Sequence, residues 1–132
     1  MKIVLDTNVL ISGIFFTGPP WQILKSWRDG SINIAFSEEI LTEYQRVAEE
    51  LSVQFPGVDI EQILELLTIR AEMVDTHEFE VTVCDDPDDD MFISCALASQ
   101  CKIIVSGDKH LLRLSGYQGI EVLKPRDFIG NH

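Results

Sequence analysis

Lys2-Ile3-Val4-Leu5-Asp6-Thr7-Asn8 and, near the other end of the chain, Lys102-Ile103-Ile104-Val105-Ser106-Gly107-Asp108 share one form. Each is an apolar run of strand length closed by a polar turn that carries an aspartate. Between them the pattern alternates. Pro19-Pro20 opens a helix with Trp21, Ile23, Leu24 and Trp27, and Asp29-Gly30 stops it. Ile32 to Phe36 reads as a second strand. Ser37 then caps a helix whose first turn holds Glu38 and Glu39 and whose apolar face holds Ile40, Leu41, Tyr44, Val47, Ala48 and Leu51. Asp59 to Met73 reads as an amphipathic helix and Phe79 to Val83 alternates as a strand does. Asp88 to Ser99 reads as a helix, Leu111-Leu112 sits in a short one, and Ile120 to Leu123 reads as a last strand. Strands alternating with helices predict an α/β fold: one domain over 1–132, with a central, mostly parallel twisted sheet flanked by helices.

The composition agrees with a packed globule. Of 132 residues 45% are hydrophobic and 24% charged, which argues against a disordered chain. No uncharged apolar run approaches the roughly 20 residues of a membrane span. No secretory or transit signal reads from Met1-Lys-Ile-Val, so a cytoplasmic protein is expected. The three cysteines, Cys84, Cys95 and Cys101, form no CxxC pair and read as free thiols in a reducing compartment. The net charge of −12 excludes a bulk duplex binder, which would be basic. The bases gather late: from Lys102 onward there are five, against three acids. A polyanion is therefore held only where local bases or bound cations offset the field.

Parallel sheets carry their sites at the carboxyl ends of their strands. Asp6 and Asp108 both follow strands. Either alone reads as a turn residue; two at one end of a sheet suggest a site. Glu43 shares a helix face with Ile40 and Val47, so it reaches water at the boundary, pairs with a base, or binds a metal. Asp85-Asp86-Pro87-Asp88-Asp89-Asp90 packs five acids into six positions, more than a helix dipole explains. Asp90 shares a face with Ile93, Ser94 and Leu97, yet Asp88 and Asp89 also neighbour apolar positions, and periodicity does not choose among the three. Converging carboxylates need counter-charge, which Mg²⁺ or Mn²⁺ supplies through oxygen ligands. His77, His110 and His132 are scattered, and no zinc spacing competes. The chain has neither a P-loop nor a GxSxG elbow. Lys102, Lys109 and Arg113 are the candidate phosphate-binding bases.

Four segments in order now carry a resemblance. Ile3-Val-Leu-Asp6-Thr7-Asn8, Glu43 in a helix after a strand, Asp88-Asp89-Asp90-Met-Phe-Ile-Ser-Cys-Ala, and Ile103-Ile-Val-Ser106-Gly107-Asp108 resemble the PIN-domain ribonucleases over essentially the whole chain. Within that family the chain is similar to the VapC-like toxins of toxin–antitoxin pairs. The resemblance implies a pocket of four acids, Asp6, Glu43, Asp90 and Asp108, that binds Mg²⁺ or Mn²⁺, with Asn8 and Ser106 in support. It implies metal-assisted hydrolysis of phosphodiesters in single-stranded RNA, a homodimer or higher homo-oligomer, and a cognate antitoxin that covers the pocket. His110 departs from the pattern, since many relatives carry an acid there. Trp21, Trp27, Phe15 and Phe16 serve partner contacts or, more simply, fill the core. Two other readings remain: a PIN-like module that binds RNA or protein without cutting, and a haloacid-dehalogenase-like phosphatase. The latter needs Asp-x-Asp after the first strand, and the third residue here is Asn8.

Overall fold

The computed structural model describes residues 1–131. Strands β1 (Lys2–Leu5), β2 (Asn33–Phe36), β3 (Glu72–Met73), β4 (Ile103–Val105) and β5 (Glu121–Leu123) form one sheet in the order β3-β2-β1-β4-β5. Each neighbouring pair is parallel. Helices α1 (Thr7–Phe15), α2 (Pro19–Arg28), α3 (Glu38–Ser52), α4 (Ile60–Arg70), α5 (Asp90–Ala98), α6 (Lys109–Leu112) and α7 (Pro125–Asn131) flank it. β1 lies at the centre. Ile3, Val4 and Leu5 are fully buried, because helices cover both faces of a parallel sheet and leave no polar side for alternation. The α/β class expected from the alternating pattern is what the chain adopts. No helix among the described residues is long and apolar enough to cross a membrane.

Local chemistry explains several boundaries. The Ser37 hydroxyl accepts from the Ile40 amide at 3.3 Å and starts α3, and Asp59 accepts from Gln62 at 3.1 Å and starts α4. Pro19 and Pro20 occupy the first turn of α2. Gly13 lets α1 approach α2. A Cβ there would lie 2.7 Å from Leu24 Cδ1 and 2.8 Å from the Pro20 carbonyl oxygen.

The structure departs from the sequence reading at three places and adds an element at a fourth. Thr7–Phe15 is a helix where the sequence marked only a break after Asn8. α4 ends at Arg70, and Glu72–Met73 forms the edge strand β3. Phe79 to Val83 is not a strand: His77–Phe79 is a 3₁₀ turn and the following residues are irregular. The segment after Pro125 forms α7, against the base of α2. The aromatics divide: Trp27 is buried at 2%, whereas Phe16 and Trp21 are exposed at 58% and 42%. All three cysteines are free.

Candidate active site

β2 and β4 lie on opposite sides of β1, so chain direction across the sheet reverses there. A crevice at the carboxyl ends of β1 and β4 is where such sheets bind ligands. Asp6 stands at its head and its backbone is fixed on both sides. Its amide donates to the Val105 carbonyl at 3.0 Å, and its own carbonyl accepts from Val9 and Leu10 at the start of α1. The side chain is 6% exposed. Ser106, fully buried, donates its hydroxyl to Asp6 Oδ2 at 2.6 Å and accepts from the Asp108 amide at 3.0 Å. One serine therefore couples two of the expected acids. Asp108 in turn caps α6 by accepting from the His110 amide at 2.7 Å.

Burial pushes the Asp6 carboxyl above the usual carboxylate range. The Ser106 hydroxyl and the Thr7 amide oppose that, and the negative fields of Asp108 and Glu43 add to it. Glu43 thus lies within electrostatic reach of Asp6. Its position follows from Tyr44, which is fully buried and donates its hydroxyl to the Leu5 carbonyl at 2.5 Å. That bond fastens α3 to the end of β1, one residue before Asp6. Glu43 is bonded to Arg46, which also pairs with Glu50 at 2.9 Å.

The structure places Asp90, the third acid the resemblance implies, against backbone amides. Asp90 Oδ1 accepts from the Val83 amide at 3.0 Å and the Cys84 amide at 2.8 Å, so this carboxylate pins the incoming loop to α5. Asp89, one residue earlier and about 100° round the turn, lies instead within electrostatic reach of Asp108 and Asp6. Burial, then Asp108 and Asp6, push its carboxyl up to about 7. Its Oδ2 is buried and has no hydrogen-bond partner among the described residues. A 3₁₀ turn over Pro87–Asp89, with Asp86 accepting from the Asp88 amide at 3.0 Å, sets that rotation. The structure thus joins Asp6, Asp89 and Asp108 electrostatically, with Glu43 at the margin.

The expected supporting and substrate residues divide by position. Asn8 is exposed on the first turn of α1 and, among the described residues, bonds to none of the acids. Lys102 precedes β4, so it lies at the amino end of the sheet, opposite the crevice. Strand direction was the signal that excludes it. Lys109 and Arg113, exposed on and just after α6, lie on the side of Asp108. His110 Nδ1 stands 3.4 Å from Asp85 Oδ2 at the same rim.

The donor set suits a hard divalent cation. All its atoms are carboxylate or hydroxyl oxygens, two of its carboxyls are held toward the protonated form, and one buried oxygen lacks a partner. As placed, no three His, Cys, Asp or Glu side chains among the described residues stand close enough to ligate one ion. The acids share a field without closing on a single point.

Known proteins share the fold. The PIN domain family matches residues 2–110. An uncharacterized protein of Methanocaldococcus jannaschii is 33% identical over 119 residues, covering 86% of this chain and 75% of that protein. Among solved structures, VapBC2 from Rickettsia felis, bound to a DNA fragment from its promoter, superposes with a TM-score of 0.62 at 16% identity. That match covers 94% of this chain and 98% of the other. The RRP44 PIN domain of T. brucei gives 0.53 at 15% identity, covering 98% and 79%. At these identities the structures speak for the fold, and the family match with the archaeal relative speaks for descent. A parallel sheet ordered 3-2-1-4-5, with acids after its first and fourth strands, is how this sequence builds the fold, and the chain belongs to the PIN-domain nuclease family.

Proposed function

We propose that this chain is a metal-dependent endoribonuclease that hydrolyses phosphodiester bonds of single-stranded RNA. We place it as the toxin of a toxin–antitoxin pair, acting in the cytoplasm as a homodimer or higher homo-oligomer. The observation that carries the nuclease reading is the shared negative field of Asp6, Asp89 and Asp108 at the strand ends, two of them held toward the protonated form. Mutual repulsion of this kind is costly in a purely structural feature and useful beside a cation. A bound Mg²⁺ or Mn²⁺ supplies Lewis-acid stabilisation and a nucleophilic water at neutral pH.

The residues of the chain divide the remaining work. Asp6 offers a carboxylate whose backbone is hydrogen-bonded on both sides, and Ser106 orients it. Asp89 and Asp108 complete the inner acids. Glu43, held in place through Tyr44, binds or orients water from the margin. Lys109 and Arg113 supply positive charge for the phosphate on an otherwise acidic chain. The toxin role rests on the likeness to VapBC2, where a partner protein is part of the complex.

Purified protein incubated with labelled single-stranded RNA tests the reading. Cleavage that requires Mn²⁺, stops with chelator and is lost in Asp6→Asn supports it, and the variant controls for contaminating nuclease. Hydrolysis confined to small phosphate monoesters favours the phosphatase. Binding without cutting favours the silent module.

A further inference from the structure

α3 and α4 pack against each other incompletely. Between the carboxyl half of α3, the turn at Pro56-Gly57 and the start of α4 runs a groove of about 680 Å³. Its floor is apolar. Ala48 and Ile60 form, with Ile11, a small cluster separate from the main core, and Val58 and Leu64 rest on it half-covered. Its rim is acidic: Glu49, Asp59, Glu61 and Glu65 line it, all exposed, and no Lys or Arg does. Glu49 lies about 9 Å along α3 from Glu43, so the groove is distinct from the crevice.

We infer that this groove docks a basic amphipathic helix of another protein: an apolar stripe against Ala48, Ile60 and Leu64, flanked by Lys or Arg facing the four acids. Charge complementarity selects this occupant. Nucleic acid and an anionic lipid surface both meet a negative rim and are repelled. A second copy of this chain, related by a two-fold axis, would set one acidic rim against another. The inference is independent of RNA cleavage, and so is its test.

The probe is a synthetic helix of about four turns with leucine at every third or fourth position and lysine on either side. Two controls share its length: one with the leucines and lysines scrambled to destroy the stripe, and one with glutamate for lysine. Binding to the full chain is measured by calorimetry and mapped by amide chemical shifts. The striped basic helix binds and shifts residues of the carboxyl half of α3 and of α4, and both controls bind at least about tenfold more weakly. The exposed double variant Glu49→Lys, Glu65→Lys keeps its circular dichroism and its RNA cleavage. It weakens the probe by at least about tenfold. Equal binding of the scrambled peptide, shifts centred on Asp6 and Asp89, or unchanged affinity in the double variant overturns the inference. So does sedimentation showing a peptide-free dimer that the double variant dissolves, which assigns the groove to a second copy.

Discussion

Ser106 and Asp6 are a hundred positions apart in the chain, yet the serine hydroxyl lies 2.6 Å from the aspartate oxygen, with both side chains buried. The bond favours the charged form of Asp6 against burial and against its acidic neighbours. It acts across the reversal in sheet order, at the point where two parallel strands diverge.

Replacing Ser106 by alanine therefore raises the Asp6 carboxyl further. Cleavage by Ser106→Ala at neutral pH falls about 10–100-fold, as for loss of a group that orients a metal ligand. The acid limb of its pH–rate profile moves to higher pH, because Asp6 then needs a more basic solution to ionise. A profile that falls uniformly without moving would assign Ser106 to packing alone.

Asp89 and Asp90 separate by role. Asp89→Asn removes the buried unpartnered oxygen, abolishes Mn²⁺ binding in calorimetric titration, and leaves the fold intact. Asp90→Ala retains Mn²⁺ binding but loses about 1 kcal/mol of stability in urea, since the Val83 and Cys84 amides lose their acceptor. The reverse outcome would restore Asp90 to the site.

Stability of the metal-free protein depends on pH through the same carboxyl. Asp89 holds its proton up to about 7 in the folded state. In the unfolded chain it releases that proton near about 4. Between these values the native state binds more protons, so Asp89's contribution is complete below the lower value and is lost as pH rises through the upper one. Asp6, also raised, acts in the same direction. In urea titrations from pH 4 to 8, Asp89→Asn gains on the wild type as pH rises, and saturating Mn²⁺ reverses the wild-type trend.

Tyr44→Phe leaves the buried Leu5 carbonyl without its donor. The expected cost is about 1–3 kcal/mol. Because the same bond fixes α3 against β1, cleavage falls about tenfold or more beyond the stability effect, with Glu43 displaced from Asp6. Thermal melts and single-turnover cleavage at a temperature where both proteins are folded distinguish the two contributions.

Most of the sheet was legible from the sequence because β1, β2, β4 and β5 are short, largely apolar segments bounded by turn residues. α1 was not. Val9, Leu10 and Ile11 are successive and all buried, so the helix keeps only a narrow polar edge at Asn8 and Ser12 and its period is faint. β3 has two exposed residues, too few for alternation to register, and its neighbour Phe79–Val83 alternates without pairing. Asp6, Glu43 and Asp108 were readable from strand ends and a helix face. The choice between Asp89 and Asp90 was not, because it depends on the rotation that a three-residue 3₁₀ turn imposes before α5.

The central place of β1 has a consequence for biosynthesis. β1 is flanked on one side by a strand begun only at Ile103, and Ser106 and Asp108 follow that strand. A nascent or truncated product ending before this point has Asp6 but neither partner, and a raw sheet edge where β4 belongs. The pairing of Asp6 with Ser106 and Asp108 is therefore completed only when β4 and the turn after it have emerged from the ribosome.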